Sequence, residues 1–144
     1  MNTVSQPCFY AGCMPDFQTR SLSPVPDEVA PDNSDVRLLV RDENVSMAHF
    51  TLEAGEIAVA VKHRTVSEYW FVVAGSGRMW RKDAENVEVV GLEPGVSLSI
   101  PLGTAFQFRN DGSVPLEIVG FDTPPWPGND EAFAVEGQWQ PTLS

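Results

Sequence analysis

Gly55-Glu-Ile-Ala-Val-Ala-Val-Lys-His63-Arg-Thr-Val-Ser-Glu68-Tyr-Trp-Phe-Val-Val-Ala-Gly75 sets two apolar runs on either side of a polar joint that carries a histidine and a glutamate. Ile57, Val59 and Val61 alternate with small or polar residues, and Tyr69 to Val73 is an aromatic and β-branched run, so both sides read as strands. The joint from His63 to Ser67 predicts a turn. Period two puts Val59, Val61 and His63 on one face of the first strand. If Glu68 enters an antiparallel second strand facing the same way, its carboxylate comes within reach of the His63 imidazole.

Outward from this stretch the chain keeps the same texture. Val36 to Val40, Met47 to Leu52, Arg78 to Arg81, Val87 to Val90, Val96 to Ile100, Phe106 to Phe108 and Leu116 to Phe121 are strand candidates. Turns such as Gly75-Ser-Gly77, Gly91-Leu-Glu-Pro-Gly95 and Asn110-Asp-Gly-Ser113 separate several of them. Many short strands and no helix signal beyond a turn or two predict an all-β barrel or sandwich. Residues 1–35 hold Pro7, Pro15, Pro24, Pro26 and Pro31 and read as an extended arm. Phe9, Tyr10, Met14 and Phe17 predict that part of the arm packs on the barrel or on a second subunit. The tail, with Pro124, Pro125, Trp126, Pro127 and Trp139, is expected to cover an open end of the fold or a neighbouring subunit.

At 144 residues the chain is one domain's worth. Its net charge of −11 argues against binding a phosphate backbone or an anionic membrane surface, both of which need clustered Lys and Arg. Nucleic acid and membrane are therefore not expected partners, and no run approaches the roughly 18–20 apolar residues of a spanning helix. Met1 to Arg20 lacks the basic start and apolar core of a secretory signal, so the expected compartment is cytoplasmic. Cys8 and Cys13 are too few for a disulfide framework and are expected to be free thiols.

Residues 55–75, followed by Gly91 and by Pro101-Leu-Gly-Thr-Ala-Phe106-Gln-Phe-Arg-Asn110, resemble the two sequence motifs of the cupin superfamily, over roughly residues 36–123. Trp80-Arg81, Ile100-Pro-Leu-Gly-Thr104 and Pro124-Pro-Trp-Pro-Gly128 also look like a subgroup of small single-domain cupins. The resemblance implies a single cupin-like antiparallel β-barrel, or jelly roll, over 36–123, with an extended arm over 1–35 and an aromatic tail over 124–144. A homodimer is expected from the same analogy and from the apolar arm. Aligned on Glu68 and Gly75, the second histidine of the first motif is His63, while the first falls on Val61. In the second motif Pro101, Gly103 and Asn110 match, but Phe106 fills the histidine position.

The chain has two histidines, His49 and His63, so the three-histidine site of the usual cupin kind is excluded by count. Three arrangements remain. His49, His63 and Glu68 have the two-His, one-carboxylate composition that holds a single divalent metal such as Fe, Zn, Mn or Ni. His63 and Glu68 alone make a metal-free general acid/base pair. Without either role, they form a hydrogen-bonded pair over an apolar floor of Val61 and Phe106.

Lys62, Arg64, Arg78, Arg81, Lys82 and Arg109 all lie between the motifs, and Arg64 and Arg109 are the candidates for binding an anionic ligand. Outward pairing with Asp83, Glu85 and Glu88 is the alternative. Trp70, Phe71, Trp80, Phe106 and Phe108 either line a ligand cavity or fill the barrel. No nucleophile elbow, phosphate loop or dinucleotide fingerprint occurs. The expected function is binding of a small molecule, an organic anion or a sugar, with a reduced or absent metal site. The alternative is a metal-dependent oxygenase or isomerase using His49, His63 and Glu68.

Overall fold

A computed structural model describes residues 16–144. The cysteines and Phe9, Tyr10 and Met14 lie outside them. The described chain forms β1 (Glu28–Val29), β2 (Asp35–Arg41), β3 (Ser46–Leu52), β4 (Val61–His63), β5 (Ser67–Ala74), β6 (Gly77–Lys82), β7 (Val87–Leu92), β8 (Ser97–Ile100), β9 (Ala105–Asn110), β10 (Leu116–Thr123) and β11 (Ala132–Ala134), with a single 3₁₀ turn at Asn129–Glu131. These build two antiparallel sheets in the orders β1-β2-β3-β10-β5-β8 and β11-β4-β9-β6-β7. The architecture is the all-β jelly-roll sandwich expected.

Between the sheets lies a core that includes Leu52, Val72, Met79, Leu92, Ile100, Phe108, Leu116 and Ile118. Each such side chain contributes about 1.5–3 kcal/mol when fully buried. Strand β5 shows how a continuous apolar run resolves into two faces. Glu68, Trp70 and Val72 are at most 4% exposed, whereas Tyr69, Phe71 and Val73 are 46–50% exposed, so the even-numbered residues point into the sandwich. Phe71 therefore faces outward and lines no interior cavity.

The first half of the motif differs from its expected form. Only Val61–His63 is strand, because the hydrogen bonds just before it diverge: the Ala58 amide donates to Phe108 O, and the Val59 amide donates to Asp32 O. No single neighbour takes both, so no ladder extends back to Ile57, which makes only an isolated bridge with Arg109. At the arm's end β1 pairs with β2, and in the tail β11 pairs with β4 and places Ala132 opposite His63. Gly77 is required where β6 crosses β9, since a Cβ there would run into the Arg109 carbonyl.

Candidate functional site

A cavity of about 380 Å³ opens between the sheets, bounded by β2, β3, the arm and the tail. Its floor is built by cross-strand register. Asp122 on β10 stands directly opposite Glu68 on β5, and the two buried carboxyls are near enough for one to hydrogen-bond the other once it is protonated. Such a bond needs one shared proton. The Trp70 indole Nε1–H donates to Glu68 Oε1 at 2.6 Å, and His63 Nε2 lies 3.4 Å from Glu68 Oε2. Phe50 and Trp70 stack at 5.7 Å between ring centroids, while Phe106 and Trp126 meet the His63 ring edge-on at 5.1 and 5.4 Å. Gly120 keeps the floor open, because a Cβ there would meet Phe50 at 2.6 Å and Trp70 at 3.2 Å.

The electrostatics follow from burial. Desolvation, with the neighbouring Asp122 charge, lifts the Glu68 carboxyl well above its usual range. Desolvation also pushes Asp122 up to about 6, against the pull of the Glu68 hydrogen bond and Arg41. His63 is pushed down to about 4 by burial, which Glu131 opposes. A protonated Glu68 offers no charge to hold an imidazolium, so His63 is neutral at neutral pH despite the carboxyl beside it. Asp32 also borders the cavity and is raised by burial, although Ser34 hydrogen-bonds it through both its amide and its hydroxyl. His63 Nδ1 and Asp122 Oδ1 are buried with no hydrogen-bond partner among the described residues. Buried polar atoms are nearly always paired, so these two leave hydrogen-bonding capacity unused beside the cavity.

The structure brings together four of the expected site residues, His63, Glu68, Trp70 and Phe106, and places the others elsewhere. His49 is corrected by strand parity: its neighbours Ala48 and Phe50 line the cavity, so it faces the other side of the sheet. There its Nε2 lies 3.2 Å from Glu117 Oε1. Trp80 pairs with Gln107 on the outer face of the second sheet, because its neighbour Met79 occupies the core. Phe108 is core, edge-on to Trp70 at 4.8 Å. Arg64 donates to Asp130 O and covers the Phe133 ring, and Arg109 binds Asp111 and lies 5.3 Å from the Trp139 ring centre, so neither addresses the cavity. Cation–π packing of this kind is structural here. Asp122, Asp32 and Trp126 are site residues that the motif did not reveal.

A metal of the kind implied by the motif does not fit these residues. Val61 and Phe106 offer no donor atoms, His49 points away, and the Glu68 carboxyl is committed to Trp70 and Asp122. Among the described residues no group of three His, Cys, Asp or Glu side chains is placed to hold a metal ion.

The cupin domain family model matches residues 48–121, half of the chain. The chain belongs to the cupin family. This cupin is 28% identical over 94 residues to the xanthan biosynthesis protein XanB of Xanthomonas campestris pv. campestris, covering 65% of this chain and 19% of that protein. It is 32% identical over 85 residues to an uncharacterised protein of Methanocaldococcus jannaschii, covering 59% of this chain and 65% of the relative. The chain spans about a fifth of the length of XanB and of the mannose-1-phosphate guanylyltransferases it also matches. Among solved structures, a Bacillus halodurans protein superposes with a TM-score of 0.60 at 20% identity, covering 72% of this chain and 76% of that one. Oxalate decarboxylase of Bacillus subtilis gives 0.65 at 15% identity, covering 77% of this chain and 30% of that one. At these identities the structural likeness concerns the fold.

Proposed function

We propose that this cupin binds a small hydroxyl-bearing organic molecule of sugar type in the cavity between its sheets, held by carboxyl, imidazole and aromatic groups. The observation that carries this is the floor: Glu68, Asp122 and His63 converge under the rings of Phe50, Trp70, Phe106 and Trp126. Carboxyl and imidazole groups both donate to and accept from hydroxyls, and ring faces cover the C–H surface of a sugar. A cavity of about 380 Å³ lies near the lower end of the roughly 300–1,000 Å³ range of small-molecule sites. The names of the relatives in xanthan biosynthesis and mannose-1-phosphate guanylyl transfer support a carbohydrate ligand.

Calorimetric titration of the purified protein with a panel of hexoses and pentoses tests this. At least one sugar is expected to bind, and Asp122→Ala, by removing hydrogen bonds worth about 1–3 kcal/mol, is expected to weaken it roughly 10- to 100-fold. The proposal fails if no sugar binds, or if untagged protein carries one metal per chain that His63→Ala abolishes.

A further inference from the structure

Resting on that sugar pocket, we infer that the ligand carries an anionic head, a phosphate or a carboxylate, which Arg20 of the arm and Arg41 at the end of β2 receive at the cavity mouth. Both residues border the cavity and both are exposed. The arm is fixed on either side of Arg20. The Gln18 side-chain amide donates to Arg41 O at 2.6 Å and its oxygen accepts the Arg41 amide, so Gln18 pairs with β2 as a strand residue would. Farther along, Arg37 Nε donates to Ser23 O at 2.8 Å. Arg20 lies between these two anchors and is held at the rim beside Arg41. Arg41 Nη2 in turn donates to Trp126 O at 3.2 Å, joining the rim to the aromatic wall over His63.

Charge makes the placement informative. The chain has 20 acidic residues against 9 Lys and Arg, so an arginine near the surface has many carboxylates to choose from. Arg78, Arg81 and Arg109 each pair with one. Among the described residues no carboxylate lies within ion-pair distance of Arg20 or Arg41, and residues 1–15 contain neither Asp nor Glu. Two guanidinium groups with no carboxylate in ion-pair contact at one opening, although Arg41 feels the Asp122 charge at longer range and Glu28 also borders the cavity, suit an anion, and the planar fork of each matches phosphate or carboxylate oxygens. The floor has the opposite character. An anionic group driven down against Asp122 and Asp32 would meet their oxygens, whereas hydroxyls find partners there. The two ends of the cavity therefore orient one molecule, with its hydroxyls inward and its anionic group outward.

Titration with glucose, mannose and galactose, with the 6-phosphate of each and with the corresponding uronates separates the possibilities. At least one phosphate or uronate is expected to bind tenfold or more tightly than its parent sugar. Read as the ratio of anionic to parent-sugar affinity within each variant, that advantage is expected to fall in Arg41→Gln and in Arg20→Gln, and to vanish in the double variant. Whether the phosphate or the uronate series gains identifies the head. Equal binding of parent and anionic sugars, or an advantage that survives in the double variant, overturns the inference and leaves the sugar pocket standing. Binding by none of them removes the pocket and the inference together.

Discussion

Asp122→Asn and His63→Gln are expected to bend the pH dependence of folding stability in opposite directions. Burial raises Asp122 from 3.8 to about 6, so between those values the folded protein binds more protons than the unfolded chain. Stability then falls as pH rises from about 4 through about 6. A rise of about two pKa units at about 1.4 kcal/mol each puts the full effect of the Asp122 carboxyl near 3 kcal/mol. His63 has the reverse sign. Its value drops from 6.5 to about 4, so the unfolded chain binds more protons across that interval and stability rises with pH, by about 3 kcal/mol over some two and a half units. The two groups act in opposite directions over overlapping pH windows in the wild type.

Each variant removes one side of that balance. Urea denaturation at half-unit steps from pH 4 to 7.5 gives the stability of each variant minus that of the wild type, in which the titrations of groups that feel neither residue drop out, leaving those of Glu68 and Glu131 as the neighbours that respond. For Asp122→Asn this difference should climb towards neutral pH by up to about 3 kcal/mol, because the amide has no charge to bury. For His63→Gln it should decline by a similar amount. Differences that are flat with pH, or that slope the same way in both variants, would refute the assignment of a shared-proton carboxyl pair beside a neutral imidazole.

Gly120→Ala adds a methyl group between Phe50, Trp70 and Glu68 Oε1, the last 3.3 Å from the new carbon. Overpacking of this kind costs about 1–3 kcal/mol, so the thermal midpoint should drop and sugar binding should be lost, as followed by melting and calorimetry; a variant that binds as well as wild type would show that the floor lies elsewhere. Glu131→Gln tests the joint that holds His63. Its carboxylate accepts from the Thr65 amide, the Thr65 hydroxyl and the Val66 amide, and although burial pushes it up, these bonds hold it below the usual range. An amide has one acceptor oxygen for three donors, so a loss of about 1–3 kcal/mol is expected, and an unchanged denaturation midpoint would exclude this anchoring role.

How much of the site could be read beforehand depended on whether neighbours in space were neighbours in sequence. His63 and Glu68 flank one short turn, so their contact follows from strand geometry once the turn is recognised, and the empty ligand positions at Val61 and Phe106 follow from motif spacing. Asp122 meets Glu68 only through the β5–β10 register, which no local pattern encodes. His49 has no face legible in sequence for a related reason: Met47 to Leu52 has no clean alternation, and its face follows from β3 pairing between β2 and β10. Trp80 and Phe108 are equivalent to Trp70 in composition, yet parity puts Trp80 on the outer face of its sheet, where it is still buried, and packing sinks Phe108 into the core. Arg64 and Arg109 lie closest to the motifs in sequence, but their guanidinium groups are occupied by the tail and by Asp111. In a chain this acidic, the informative arginines are those left without a carboxylate beside an opening, and Arg20 and Arg41 reach that position from the arm and the strand it docks against.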